Sequence, residues 1–173
     1  LKGGDPFIFG RGGEEVDAAL VAGVPVVVIP GISAANGAAA STLMPLTHRD
    51  HASMVSFVAG ECRGLAEQNW AGLAGKGRTL VIYMGVCGAE MIQSELLTGL
   101  AANTPVAIIE NATLPHQRQA LTQLDRLTLT LQESGLKSPS ILVVGDVVKA
   151  CAQIFQTSQN DLTAPTLPLH ANM

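Results

Sequence analysis

The sequence predicts an α/β fold, and three features carry the prediction. Apolar residues make up 47% of the 173 residues but aromatic residues only 3%, so the core consists mainly of Ala, Val, Leu and Ile. Short β-branched runs bounded by Pro and Gly alternate with Ala-rich stretches along the chain. Such alternation is typical of a mostly parallel or mixed sheet with helices on its faces.

The first 47 residues predict one incomplete α/β domain. They contain a helix, a strand and a second helix, expected at residues 14–22, 24–30 and 34–42. Glu14 and Glu15 favour the N-terminal end of the first helix through the helix dipole. Ser33 stands where an N-cap residue of the second helix is expected. A lone strand has no partner for its backbone hydrogen bonds, so this domain needs further strands.

Residues 48–150 predict a second α/β domain. Its strands are expected at residues 53–59, 79–84, 105–110 and 140–145, with an extra strand at 117–121. Helices are expected between them at residues 65–74, 89–101 and 122–134. The remaining residues, 151–173, are rich in Thr, Gln, Asn and Pro and predict a disordered tail.

Charge and cysteine content exclude several classes of protein. A net charge of −4 and a pI near 5.5 argue against a general nucleic-acid binder, which would carry a basic face. Cys62, Cys87 and Cys151 form no CxxC pair and no zinc-ligand spacing, so we expect reduced thiols and no metal site. No apolar run reaches the roughly 18 residues of a membrane span. A cytoplasmic protein that does not bind membranes is expected.

Residues 1–15, LKGGDPFIFGRGGEE, carry the strongest functional signal, and five of them are glycine. Gly3 and Gly4 allow the backbone to approach a ligand closely, because glycine has no Cβ and tolerates positive φ. Asp5 is a candidate acceptor for a ribose hydroxyl or an ammonium group. The run from Gly10 to Gly13 either forms an anion-binding nest or leads into the helix. By itself the Gly-Gly-Asp-Pro segment is equally typical of a tight surface turn.

Six segments in the same order resemble the uroporphyrinogen-III C-methyltransferases, a group of the tetrapyrrole methylase family. The first is the glycine-rich segment, here called the Gly-rich loop. The others are VIPGISA at 28–34, PLTHR at 45–49, TLVIYMG at 79–85, PVAIIENAT at 105–113 with Gln117 and Arg118, and KSPSILVVGDVV at 137–148. The resemblance extends over about residues 1–149. Six ordered segments make a chance similarity improbable.

The resemblance implies a tetrapyrrole-methylase-like fold of two α/β domains with S-adenosylmethionine in the cleft between them. It implies transfer of two methyl groups to ring carbons of uroporphyrinogen III, which yields precorrin-2 in sirohaem and cobalamin biosynthesis, with S-adenosylhomocysteine as by-product. It also implies a homodimer. The cofactor-binding positions that it transfers to this chain are Gly3, Gly4, Asp5, Ile8, Ser33, Ala34, Met84 and Ala112.

The resemblance assigns substrate binding and catalysis to Arg11, Glu14 and Arg49. A guanidinium group can hold a carboxylate through two hydrogen bonds, which suits a substrate rich in carboxylates. Glu14 either orients Arg11 across one helical turn or moves a proton. The alternative reading is two surface arginines and an acidic residue that the helix dipole favours. By residue type alone Met84 is more typical of core packing, whereas the resemblance places it at the cofactor.

Two departures from the family pattern leave other readings open. Relatives have Gly where this chain has Ala112, and its methyl group would crowd the cofactor unless φ stays negative. The Gly-x-Gly-Pro-Gly-Asp segment of the family is not found in the sequence, so we expect the chain to lack the N-terminal part of the enzyme. The alternatives are another precorrin methyltransferase, or a non-catalytic α/β fragment that only binds or dimerises.

Overall fold

The computed structural model describes residues 2–60 and 68–149. The helices are α1 Gly12–Val21, α2 Ala34–Ser41, α3 Trp70–Leu73, α4 Ala89–Leu97 and α5 Leu127–Ser134. The strands are β1 Ala52–Ala59, β2 Gly77–Tyr83, β3 Pro105–Glu110, β4 Arg118–Gln123 and β5 Ser140–Val144. The predicted α/β class is therefore confirmed.

The strands form one mixed sheet in the order β1-β2-β5-β3-β4. Only β1 and β2 pair in parallel, whereas β2 with β5, β5 with β3 and β3 with β4 pair antiparallel. A parallel pair needs a crossover connection, and the chain between β1 and β2 includes α3. The extra strand predicted at 117–121 is real and forms the edge strand β4.

The two faces of the sheet are covered by different helices. On one face, Leu80 and Ile82 of β2 pack in a core cluster with residues of α4 and α5. On the other face, Val81 and Tyr83 share a cluster with Ala35 and other residues of α2. Alternate side chains of a strand point to opposite faces, so one apolar strand serves both clusters. Helix α2 thereby packs on the second face of the sheet.

The strand predicted at residues 24–30 is wrong. In the described part of the chain this segment pairs with no other strand, and its side chains are exposed. Val27 is 87% exposed and Ile29 is 78% exposed. The β-branched composition indicated a strand, but a strand forms only where another strand accepts its backbone hydrogen bonds.

Several predicted boundaries also differ. Helix α4 ends at Leu97, and residues 122–123 belong to β4, where Gln123 pairs with Pro105. Residues 65–67 and 151–173 lie outside the described part, so the tail and the start of the helix expected at 65–74 are untested. The division into domains 1–47 and 48–150 stays a prediction.

Candidate functional site

A cavity of about 1100 Å³ opens at one end of the sheet. Its walls are the Gly-rich loop, the start of α2, the ends of β2 and β3, and the turn before β5. Because β5 is antiparallel to its neighbours, its first residues lie beside the last residues of β2 and β3. Ligands of α/β proteins commonly bind in such a crevice outside the strand ends.

The structure brings all eight predicted cofactor-binding positions to the wall of this one cavity. They are Gly3, Gly4, Asp5, Ile8, Ser33, Ala34, Met84 and Ala112. They come from four segments that are far apart in the sequence. The roles of these residues stay predictions, but their common location is a property of the fold.

Asp5 connects the Gly-rich loop to the turn before α2. Its Oδ1 accepts a hydrogen bond from the backbone N–H of Phe7 at 2.8 Å, and its Oδ2 accepts one from Gly31 at 3.0 Å. These two donors, Gly31 first, lower the pKa of the Asp5 carboxyl below its ordinary value of 3.8. A carboxylate has about four acceptor sites, so acceptor capacity remains for a ligand.

Three glycines shape this wall for different reasons. Gly4 has a φ of 79°, in the region that glycine tolerates best. A Cβ on Gly31 would lie 2.2 Å from the carbonyl oxygen of Gly4, so the two backbones touch here. A Cβ on Gly3 would meet no atom within 4 Å, although Gly3 lines the cavity. The space in front of Gly3 is free for a ligand.

Strained backbone accompanies the cavity. In the described residues, six non-glycine positions have positive φ, and four of these line it: Phe9, Met84, Asn111 and Thr113. Such conformations cost free energy and cluster at functional sites. Asn111 and Thr113 flank Ala112, which itself is not among the positive-φ residues. The alanine at this position is therefore tolerated without backbone strain.

Tyr83 is a wall residue to which the sequence assigned no role. Its hydroxyl lies 2.7 Å from the Ser33 hydroxyl and accepts a hydrogen bond from the backbone N–H of Ala35 at 3.1 Å. Ser33 occupies the N-cap position of α2 as predicted, but its side chain makes no capping bond and donates to Asn36 instead. The signal for Tyr83 was its place at the end of an apolar strand, directly before Met84.

A buried carboxylate supports the opposite wall. Glu110, at the end of β3, accepts hydrogen bonds from Arg118 Nε at 2.6 Å and from the backbone N–H of Lys137 at 2.8 Å. The Arg118 guanidinium, together with the Lys137 N–H, lowers the Glu110 pKa, and burial opposes this effect. Arg118 also donates to the carbonyl of Gly135 at 2.7 Å. Glu110 thus anchors the turn that supplies Ser138 and Pro139 to the cavity.

The three predicted catalytic residues lie outside this cavity. Arg11 Nε donates to Glu14 Oε2 at 2.7 Å, and the two side chains are 81% and 63% exposed. This geometry matches the reading in which Glu14 orients Arg11. Both residues border a second, more open depression of about 510 Å³ beside Phe7. Arg49 is exposed in the turn before β1 and lines neither cavity.

Other chemical groups are sparse in the described residues. No three His, Cys, Asp or Glu side chains of residues 2–60 and 68–149 are grouped to hold a metal ion. Over the same residues no helix is both long and apolar enough to span a membrane. Cys87 lines the cavity as an exposed free thiol.

Comparison with known proteins decides the family. The model of the family described as tetrapyrrole (corrin/porphyrin) methylases matches residues 1–128. The chain belongs to the tetrapyrrole methylases. This tetrapyrrole methylase is 48% identical over 151 residues to siroheme synthase of Thiobacillus denitrificans and 49% identical over 152 residues to that of Edwardsiella ictaluri. In both comparisons 86% of this chain is covered, and it spans 32% of the relative's length.

Solved structures agree with this assignment. Uroporphyrin-III C-methyltransferase of Thermus thermophilus, complexed with S-adenosyl homocysteine, matches with a TM-score of 0.74 and 35% identity. The match covers 87% of this chain and 66% of the Thermus chain. A cobalt precorrin-4 methyltransferase has a TM-score of 0.75 at 21% identity over 84% of this chain and 62% of that one, which shows the shared fold alone. The predicted tetrapyrrole-methylase-like fold is confirmed.

Proposed function

We propose that this chain binds S-adenosylmethionine in the large cavity and forms part of an enzyme that methylates ring carbons of uroporphyrinogen III to give precorrin-2. The observation that carries the proposal is that eight positions predicted from the family resemblance line one cavity. Siroheme synthases and a uroporphyrin-III C-methyltransferase are relatives of the chain. The reaction would serve sirohaem and cobalamin biosynthesis.

The cavity suits a cofactor of this size and polarity. Its volume of about 1100 Å³ is slightly above the usual range for small-molecule sites, roughly 300–1,000 Å³, so a molecule of this size fits. Apolar walls from Ile8, Ile32 and Met84 are interrupted by the Asp5 carboxylate and by loop backbone. The free space at Gly3 and the spare acceptor capacity of Asp5 are on the same wall. When bound, S-adenosylmethionine supplies an electrophilic methyl group on a sulfonium.

The residues of this chain then have mainly positioning tasks. The Gly-rich loop and α2 hold the methyl donor in a fixed orientation, and such alignment supplies much of the rate of a two-reactant step. We assign carboxylate binding to Arg11 and Arg49, and the orientation of Arg11 to Glu14. The Arg11–Glu14 hydrogen bond raises the pKa of Arg11 and fixes the direction of its guanidinium group, which is charged at any working pH. No metal takes part in the proposal.

Titration calorimetry with S-adenosylhomocysteine tests the cofactor site. Gly3→Val adds a branched side chain at the cavity wall, and its Cβ would meet no protein atom within 4 Å, so binding should weaken more than tenfold while the melting temperature changes little. Gly13→Val is the matched control, because a Cβ there also meets no atom within 4 Å and the residue does not line the cavity. Equal binding by both variants would exclude this cavity as the cofactor site.

Incubation with S-adenosylmethionine and uroporphyrinogen III under anaerobic conditions tests the reaction. Mass spectrometry of the product should show two added methyl groups, and NMR should place them on ring carbons. Methylation of a later precorrin but not of uroporphyrinogen III would favour the other precorrin methyltransferases. Cofactor binding without turnover of any macrocycle would indicate a binding fragment.

Self-association and location are further parts of the proposal. Apolar side chains of the segment between α1 and α2 are exposed and do not line the cavity, among them Val27 at 87% and Ile29 at 78%. Exposed apolar surface of this kind supports a homodimer. Light scattering after gel filtration should give twice the chain mass. The unpaired Cys87 supports a reducing, cytoplasmic location, which cell fractionation tests.

A further inference from the structure

Tyr83 contacts two separate walls of the cavity through two different parts of its side chain. The hydroxyl is bonded to Ser33 and Ala35 at the start of α2. The centroid of the ring lies 4.7 Å from that of the Phe9 ring in the Gly-rich loop, at an interplanar angle of 54°. It lies 6.0 Å from the centroid of the Phe57 ring in β1, at an interplanar angle of 68°. Tyr83 is itself 7% exposed. It therefore joins the sheet, the helix and the loop at one point.

The hydroxyl replaces the usual helix cap. The first four N–H groups of an α-helix have no partner within the helix, and an N-cap side chain normally accepts from one of them. Here the Ser33 hydroxyl donates its hydrogen to Asn36 Oδ1 at 3.1 Å, so Ser33 accepts from the Tyr83 hydroxyl. The phenol oxygen in turn accepts from the Ala35 N–H. In this series of three hydrogen bonds, each donated hydrogen therefore has one acceptor: the Ala35 N–H bonds to Tyr83, the Tyr83 hydroxyl to Ser33, and the Ser33 hydroxyl to Asn36.

The ring contact holds a strained residue. Phe9 has a φ of 52°, and the residue is 44% exposed. Met84, the residue after Tyr83, has a φ of 54°. Both conformations persist only where packing compensates for their cost. A tilted aromatic pair at this distance is a favourable geometry and supplies such packing.

We propose that Tyr83 is a positioning residue that keeps the Gly-rich loop and the start of α2 in the relative position that the methyl donor requires; this inference rests on the cofactor site proposed above. Asp5 and Ile8 lie on the loop, and Ser33 and Ala34 lie on the helix. The contacts of Asp5 and Gly4 with Gly31 form a second connection between these two walls.

Tyr83→Phe removes only the hydroxyl and keeps the ring. The control is Thr130→Val, which deletes a hydroxyl pair of the same 2.7 Å length, Thr122 to Thr130, that does not line the cavity. Both variants should lose a similar small amount of thermal stability. Only Tyr83→Phe should weaken S-adenosylhomocysteine binding, by about fivefold, the effect of losing one or two ordinary hydrogen bonds. Equal affinities of the two variants would overturn the proposal.

Amide hydrogen exchange of the ligand-free protein gives a second, independent readout. Tyr83→Phe should accelerate exchange at Ala35, the partner of the hydroxyl, and Tyr83→Leu, which also removes the ring that contacts Phe9, should accelerate exchange in the Gly-rich loop as well. Thr130→Val should leave both regions unchanged. If the wild type does not bind S-adenosylhomocysteine, the proposed cofactor site is wrong, and the exchange data still decide whether Tyr83 orders these walls. Unchanged exchange in Tyr83→Phe would show that it does not.

Discussion

Asp5 and Gly31, 26 residues apart in the chain, are joined by a hydrogen bond of 3.0 Å from the Gly31 N–H to Asp5 Oδ2. The same two segments touch where the Gly31 Cα faces the carbonyl of Gly4. The Gly-Gly-Asp and Pro-Gly-Ile-Ser segments of the sequence thus form one continuous wall.

Asp5→Ala should weaken S-adenosylhomocysteine binding roughly tenfold, because the loop loses two hydrogen bonds to a charged acceptor. Calorimetry measures the affinity, and the exposed Asp17→Ala in α1 is the control for a lost negative charge. Unchanged affinity in Asp5→Ala would remove Asp5 from the cofactor site.

The pKa of Asp5 should lie below its ordinary value of 3.8. The backbone donors Gly31 and Phe7 lower its pKa, so its bond to Gly31 is fully present above the ordinary value of 3.8 and is lost as the pH falls through the lower folded-state pKa. Carboxyl carbon shifts followed by NMR report the pKa directly. A midpoint at or above the ordinary value would contradict the hydrogen bonds described for Asp5.

Gly31→Ala should separate the Gly-rich loop from the turn before α2. The added Cβ would lie 2.2 Å from the carbonyl oxygen and 2.9 Å from the carbonyl carbon of Gly4. Because both of these Gly4 atoms belong to the backbone, the two segments must move apart. S-adenosylhomocysteine binding should fall more than tenfold, and amide exchange should accelerate in the loop. Gly13→Ala, which meets open space, should change neither measurement.

Gly37→Ala should raise stability and lower affinity. Alanine in a helix interior is favoured over glycine by about 0.5–1 kcal/mol. Its Cβ would lie 3.2 Å from Thr113 Cγ2 across the cavity mouth, and the exposed Thr113 side chain can move aside. The melting temperature should rise while the dissociation constant increases several-fold. Ser41→Ala in the same helix should leave the affinity unchanged, since Ser41 does not line the cavity.

Glu110→Gln should lower the free energy of unfolding by about 1–2 kcal/mol, because the amide NH₂ of Gln would face the Arg118 donor or leave the Lys137 N–H unpaired. Urea denaturation measures this loss. Glu133→Gln is the control, since its ion pair with Arg126 is exposed and 4.0 Å long and should contribute less than about 0.5 kcal/mol. Equal losses in the two variants would contradict the buried role of Glu110.

The stability that Glu110 and Arg118 contribute should depend on pH, because their hydrogen bond lowers the pKa of Glu110. Glu110 has a pKa below its ordinary value of 4.5, so its contribution to stability is complete above pH 4.5 and decreases as the pH falls through the lower folded-state pKa. The difference in unfolding free energy between wild type and Glu110→Gln should therefore shrink in acid. A constant difference down to pH 2 would contradict this linkage.

Much of the architecture was accessible from local pattern. Strand β3 was predicted with the bounds that the structure has, because an apolar run at 106–109 stands between Pro105 and Glu110. The segment at 24–30 has a similar composition and forms no strand in the described structure. Composition indicates whether a segment is compatible with a strand, whereas the presence of a partner strand beside it depends on the whole fold.

The sequence by itself determined the α/β class, the family resemblance and the choice of eight candidate cofactor-binding positions. These positions could be chosen because they lie in the motifs that carry the resemblance. Only the tertiary structure decided that Tyr83 caps α2 in place of Ser33, that Glu110 anchors the turn at Lys137, and that Arg11 and Glu14 stand outside the main cavity. Such contacts join residues 27 to 50 positions apart. Their partners depend on how the strands pair and how α2 packs, and short-range sequence pattern carries no information about either.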